Sequence, residues 1–210
     1  MALGKMKAKD AVKPLLSMAG APSAVIRREV ARALGRIGDR SALPALTNML
    51  DDREPEPRQV SVWALGEIGD SRAGPKLVAL LQDPSESIRL AAATSLCRLG
   101  NAEGRAFAEG LLKSKEAFER RDAAQMLEEV RAGWVKQALV ALLHDPDFSV
   151  RLASAHTLAK QGDGRGVEWM VLAAEAADAE ETLRIVTALE DLGVSSADRK
   201  KILEAHKKKP

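Results

Sequence analysis

Residues 33–39 read ALGRIGD and residues 64–70 read ALGEIGD, one heptapeptide frame returning after 31 residues. The frame continues without insertion through Leu34, Leu65, Leu96, Leu127, Leu158 and Leu189. Three places further on stand Ile37, Ile68, Leu99, Val130, Gln161 and Leu192, followed at once by Gly38, Gly69, Gly100, Arg131, Gly162 and Gly193. A second leucine series runs through Leu50, Leu81, Leu112 and Leu143. Self-similarity at such a fixed period marks a repeat architecture, in which each unit buries its apolar face only against its neighbours.

Within a unit, apolar residues recur twice at helical spacing, parted by Gly38-Asp39, Gly69-Asp70, Gly100-Asn101 or Gly162-Asp163. Glycine can take the left-handed conformation that closes one helix, and the Asp or Asn after it can cap the next. Each repeat is therefore a helical hairpin. First helices are expected at 25–37, 56–68, 87–99, 118–130, 149–161 and 180–192, with partners starting near 41, 72, 103, 134, 165 and 196. Asp83-Pro84 and Asp145-Pro146 separate one hairpin from the next. Small residues such as Ala31, Gly35, Ala64, Gly66, Ala92, Ala124 and Ala155 allow first helices to approach closely. The predicted fold is all-α, a right-handed α-solenoid of about six 31-residue hairpins. Residues 25–193 form the array. Residues 1–24 would be a partial repeat or cap, because Ala2, Leu3, Gly4, Met6, Leu15 and Met18 fall in register with the later units. Residues 194–210 would be a capping helix and a basic tail.

Composition agrees with a helical interior. The chain has 210 residues, 46% of them hydrophobic and 30% charged, but only 3% aromatic and no Tyr, so Ala and Leu must fill the core. The formal charge of +2 is too even to demand a polyanionic partner. Both ends are basic: residues 1–20 hold four Lys and one Asp, and residues 198–210 hold six basic and two acidic residues. Solvated capping or a weak attachment to an anionic surface would each account for that. A single cysteine, Cys97, calls for no oxidising compartment. Lys5, Lys7 and Lys9 interrupt any signal-like apolar stretch, and no segment reaches the roughly 18 apolar residues of a membrane span, so the expected location is the cytoplasm.

ALGRIGD and ALGEIGD, the Asp-Pro turns, and the pairs Ile26-Arg27, Ile88-Arg89 and Val150-Arg151 together resemble the HEAT-like repeats of phycobilisome lyases over about residues 25–193. Members of that family include scaffolds, lyase subunits and regulators, so the resemblance implies a shape more than a task. It also implies an Asp-Arg ladder. Arg27, Arg58, Arg89, Arg120 and Arg151 recur once per repeat, and Asp52, Asp83 and Asp145 stand six residues before Arg58, Arg89 and Arg151. Arg27 and Arg120 have Ala21 and Ser114 at that offset, which would leave them as the rungs free to bind something.

Catalytic chemistry is poorly represented. The related deoxyhypusine hydroxylases hold two irons with His-Glu pairs, whereas His144, His156 and His206 are none of them followed by Glu. Cys97 falls where sister repeats carry Gly35, Gly66 and Ala159, the place of a packed thiol with no basic partner. No phosphate-binding loop, nucleophile elbow or Cys-x-x-Cys is present in the sequence. No catalytic residue, metal or cofactor is expected.

The aromatic residues suggest partner binding. Trp63 aligns with Arg32, Thr94 and Gln125 and should be exposed on the convex face. Trp134, Trp169 and Phe107 occupy second-helix positions where sister repeats hold residues such as Arg72, Lys76, Arg165 and Lys200. Second helices line the concave side in this architecture. The three would therefore either anchor a partner in that groove, with Arg72, Lys76, Arg105 and Arg165 at its rim, or fold down over local gaps. LEEVRAGW (127–134) and LKSKEAFERRD (112–122) lose the usual punctuation, through drift or through reshaping around a ligand. The sequence reading is thus a non-enzymatic scaffold for another protein or peptide segment. Alternatives are a subunit resembling a phycobilin lyase, or a nucleic-acid binder, which is disfavoured because Asp51, Glu103, Glu168 and Glu175 interrupt any positive stripe.

Overall fold

The computed structural model describes residues 9–197 and residue 199. Among these residues every regular element is helical. The α-helices are α1 (Val12–Ser17), α2 (Ala24–Ile37), α3 (Leu43–Asn48), α4 (Pro55–Ile68), α5 (Gly74–Ala79), α6 (Glu86–Arg98), α7 (Ala102–Leu112), α8 (Ala117–Met126), α9 (Gly133–Leu142), α10 (Phe148–Lys160), α11 (Gly164–Ala176) and α12 (Ala179–Asp191). Short 3-10 turns flank α3 and α5, where Pro44 and Pro75 stand in the first helical turn. The chain forms two compact units, residues 1–109 and 110–210. Ala2, Leu3, Gly4 and Met6, and the basic tail with His206, lie outside the described residues.

The Gly-Asp punctuation works as its chemistry requires. Gly38, Gly69, Gly100, Gly162 and Gly193 all have positive φ, between 69° and 77°. The following carboxylates then receive the first free amide of the next helix: Asp39 from Ser41, Asp70 from Arg72 and Asp163 from Arg165. Asn101 does the same for the Gly104 amide at 3.0 Å.

In the first unit α2 packs on α4 and α4 on α6. Leu34, Leu65 and Leu96, one per first helix, are fully buried, as are Leu46 and Leu77 from the second helices. Each such leucine contributes on the order of 2 kcal/mol of burial. Contact between first helices is close enough that a Cβ added at Gly66 would come 2.7 Å from the Ser95 hydroxyl. That hydroxyl donates across the interface to the Val62 carbonyl at 2.9 Å.

The second unit repeats the plan with α10 packed on α8 and α11, and with Leu127, Leu158, Leu189, Leu139 and Met170 fully buried. At the foot of its second hairpin, a Cβ on Gly166 would stand 2.1 Å from the Ala155 carbonyl oxygen, so only glycine allows α11 to lie this close to α10.

One helix departs from expectation. α8 stops at Met126 instead of reaching residue 130. Arg131 stands where the other repeats place the left-handed glycine, so the standard closure is unavailable. Gln161, the polar exception in its apolar column, supplies the replacement. Its Nε2 donates to the carbonyls of Leu127 (2.8 Å), Glu128 (3.3 Å) and Val130 (3.2 Å). Restoring the apolar residue of the sister repeats with Gln161→Leu is therefore predicted to destabilise the fold by roughly 1–2 kcal/mol in urea unfolding, despite the gain in hydrophobicity. A variant as stable as the parent would show that these carbonyls need no partner.

Candidate partner-binding surfaces

The arginine column does one thing in each of the five repeats that carry it; the sixth has Thr182 at that place. Each guanidinium reaches back from the first turn of its helix and donates through Nη1 to the two carbonyls that end the preceding segment. Arg27 bonds those of Ala21 and Pro22, and Arg58 those of Asp52 and Arg53. Arg89 bonds those of Asp83 and Pro84, Arg120 those of Ser114 and Lys115, and Arg151 those of Asp145 and Pro146, at distances from 2.7 to 3.2 Å. The acceptors six residues back are thus backbone oxygens and not the Asp carboxylates, which corrects the pairing expected for Asp52–Arg58, Asp83–Arg89 and Asp145–Arg151.

The carboxylates pair in the other direction. Asp52 takes Nε and Nη2 of Arg27 at 2.6 and 2.7 Å, and Asp145 takes those of Arg120 at 2.7 and 2.8 Å, each 25 residues earlier in the chain. These forks are well covered, with Arg120 and Asp145 side chains 12% and 5% exposed. Arg27 and Arg120, expected to be the free rungs, are the closed ones. Asp83 stands at the same offset from Arg58, but no ion pair joins them; its carboxylate caps the Ser85 amide at 2.8 Å. Arg89 and Arg151 meet Ser114 and Ala176 at that offset.

Three of the four rim cations are engaged by nearby carboxylates. Arg72 is bidentate to Asp70, and Arg165 to Asp163, where Lys136 also reaches in at 3.0 Å. The Arg72 hydrogen bond holds the Asp70 carboxyl down at about 2, and that of Arg165 holds Asp163 lower still. Arg105 pairs with Glu109 at 2.8 Å, and Lys76 is exposed on α5.

Trp63, Phe107, Trp134 and Trp169 are half-buried, whereas Phe118 on α8 is 48% exposed. Trp63 lies over the bare face of Gly35, where an added Cβ would meet its Cζ3 at 2.9 Å, so it fills the gap between α2 and α4 instead of standing exposed. Phe107 sits on α7 of the first unit, Trp134 on α9 and Trp169 on α11 of the second. Trp169 packs against Phe148, ring centroids 6.2 Å apart. On the same helix as Trp169, Val171 and Leu172 are 40% and 58% exposed.

The second unit also holds a cleft of about 450 Å³, bordered by Arg121 of α8, Leu152 and His156 of α10, and Leu183, Arg184 and Asp191 of α12. It opens among first helices, not second ones. His156 Nε2 and Lys160 Nζ both meet Asp191 Oδ2 at 2.8 Å and tie α10 to α12 at one end. The sequence offered one signal for this region: Phe148 stands where sister repeats have Ala24, Pro55, Glu86, Ala117 and Ala179. Burial pushes the Cys97 thiol up to about 12, so it stays protonated at neutral pH.

Stacked helical hairpins with capped ends and cross-repeat forks define a helical-repeat protein of the α-solenoid class. A model of HEAT repeats matches residues 1–60 and 44–128, and the chain belongs to the HEAT-repeat family. No curated protein matches the sequence. Among solved structures, the CpcE–CpcF complex of phycocyanin lyase from Nostoc is similar in fold, at 18% identity over 93% of each chain and a TM-score of 0.56. YibA of Escherichia coli aligns at 17% identity over 96% of this chain and 82% of its own, with a TM-score of 0.47. Human deoxyhypusine hydroxylase aligns at 21% identity over 95% and 85%, with a TM-score of 0.42.

Removing the Asp145 carboxylate leaves a covered guanidinium unpaired, so Asp145→Ala is predicted to lose roughly 2 kcal/mol in urea unfolding, against under about 1 kcal/mol for the capping residue Asp83→Ala. The hydrogen bond from Arg120 depresses the Asp145 pKa, so the stabilisation is complete above the ordinary carboxylate value of about 3.9 and fades as pH falls through that value toward the folded one. Parent stability should therefore drop below about pH 4 more steeply than that of Asp145→Ala. Parallel profiles would contradict the pairing.

Proposed function

We propose that this chain is a non-enzymatic scaffold that binds a segment of another protein through its second-helix faces. The observation that carries this reading is the apolar patch on α11. Leu172, three residues from Trp169 on the same helix, is a large aliphatic side chain left in solvent on a helix that packs into α10. Exposed aliphatics next to a half-buried aromatic are the material of protein-binding hot spots. Trp134 on α9 extends the apolar content of second helices in this unit, with Arg165 as a polar neighbour on the rim. In the first unit Phe107, Arg72, Lys76 and Arg105 form the corresponding set, and only Lys76 among its cations lacks a carboxylate already in place.

A second reading makes the chain an auxiliary subunit resembling those of phycocyanin lyase. Its support is the fold likeness to the CpcE–CpcF complex, in which the neighbour is assembled with a partner protein. The partner would then be a second chain of related fold, and a spectral shift on mixing purified chain with a free bilin would favour it.

The scaffold reading predicts that Trp134→Ala combined with Leu172→Asp leaves helical content unchanged by circular dichroism. The same variant should deplete, by tenfold or more, the proteins that the parent chain retains from a lysate of its source cell. Equal retention by both would remove the second-helix face as the binding surface. No helix among the described residues is long and apolar enough to cross a membrane.

A further inference from the structure

Residues 166–183, most of α11 and the start of α12, hold Glu168, Glu175, Asp178, Glu180 and Glu181 and no Lys, Arg or His, in a chain whose formal charge is +2. Three of these acids have a local reason to be there. Asp178 receives the Glu181 amide at 2.8 Å, and Glu180 and Glu181 stand in the first turn of α12, where the helix dipole favours negative charge. Glu168 and Glu175 have no such reason. Both are exposed on α11, and among the described residues neither makes an ion pair or a side-chain hydrogen bond. Glu175 even stands in the last turn of its helix, where the dipole opposes a carboxylate. The cations on second helices of this unit do not offset them, since Lys136 and Arg165 are both held by Asp163.

Helical spacing sets Val171 and Leu172 between these two carboxylates. Glu168 precedes them by three and four residues and Glu175 follows by four and three, so all four share one side of α11. All four are exposed. The counterparts of Leu172 in the sister repeats are Asn48, Ala79, Gly110 and Ala141, so a large aliphatic side chain at this exposed place is peculiar to α11. The strip thus presents an aliphatic centre with an unpaired negative charge one turn to either side.

We propose that α11 receives a basic amphipathic segment of a partner protein, which sets a large apolar side chain on Leu172 and a Lys or Arg against each of Glu168 and Glu175. The inference rests on the second-helix reading above and names the chemistry of its partner. Potentials of opposite sign meeting across an interface speed encounter and select partners, and an amphipathic helix repeats its anchors every three or four residues. A cation brought to Glu175 also relieves the conflict between that carboxylate and the end of its own helix.

The test uses the full chain and a display library of random twelve-residue peptides. Selected peptides should carry Lys or Arg three or four residues to either side of Leu, Ile, Met or Phe. They should bind the double variant Glu168→Lys, Glu175→Lys at least tenfold more weakly than the parent. The variant Glu56→Lys, Glu86→Lys, which makes the same change of charge at exposed places on α4 and α6, should bind them like the parent. Peptides remade with Glu for each Lys or Arg should prefer the Glu168→Lys, Glu175→Lys chain, and Glu175→Lys alone should be no less stable in urea than the parent. Peptides that lose binding to Leu172→Asp but lack basic residues, or that bind both charge variants alike, would overturn the basic partner and leave the second-helix surface standing. Peptides indifferent to Leu172→Asp, or no selected peptides at all, would overturn both. A less stable Glu175→Lys would give that acid a structural role and sink the proposal. So would self-association that Glu168→Lys, Glu175→Lys abolishes, or a gain in peptide affinity when Lys207, Lys208 and Lys209 are replaced by Glu, which would assign the strip to a second copy or to the chain's own basic end.

Discussion

The fold depends on a guanidinium that closes the gap between consecutive hairpins. A helix ends with unpaired carbonyls, and a repeat protein must end one helix and begin another twice in every unit. Here an arginine at the start of five successive hairpins, from Arg27 to Arg151, satisfies two of those carbonyls in the segment just before it. The bond fixes how the incoming linker meets the new helix. It also leaves the Nε/Nη2 edge pointing away from the linker, and what happens to that edge distinguishes the repeats. Asp52 and Asp145 close it across to the next hairpin, with the carboxylates held below their usual range by the Arg27 and Arg120 hydrogen bonds. Asp83 stands at the same distance ahead of Arg58 but caps the Ser85 amide instead, so an Asp at that offset does not by itself close the edge.

Most of this architecture was legible because it rests on local chemistry. Five glycines with positive φ, each followed by a capping side chain or a chain reversal, put helix ends within a residue or two of their expected places. The leucine column predicted the interior for the same reason, since a residue that recurs every 31 places in a helix of constant length must face the same neighbour. The direction of the ladder was not legible. An Asp six residues before an Arg looks like its partner, but the short link presents its carbonyl to that Arg and turns its carboxylate toward a helix 25 residues earlier. Backbone acceptors leave no trace in a sequence.

Gln161 shows the same limit from another side. In the sequence it is only a polar residue in an apolar column, and Arg131 falls within LEEVRAGW, which the sequence leaves to drift or to reshaping around a ligand. Together they are one device, a side-chain amide replacing a left-handed turn. The candidate surfaces were partly legible. Trp134, Trp169 and Phe107 stood out as misfits among polar residues, yet all three are half-buried, and Trp63 fills the space above Gly35. The cleft beside α12 went unnoticed because Leu152 and Leu183 are ordinary helix residues, and only Phe148 departs from its register.

Double-mutant cycles on Arg120/Asp145 and on Arg151/Asp145, read by urea unfolding, address the ladder most directly. If carboxylates pair with the preceding repeat, Arg120 and Asp145 will show a coupling energy of about 1–2 kcal/mol, while Arg151 and Asp145 will be nearly additive, because Arg151 holds a carbonyl that side-chain replacement leaves intact. Strong coupling between Arg151 and Asp145, with additivity between Arg120 and Asp145, would contradict the account.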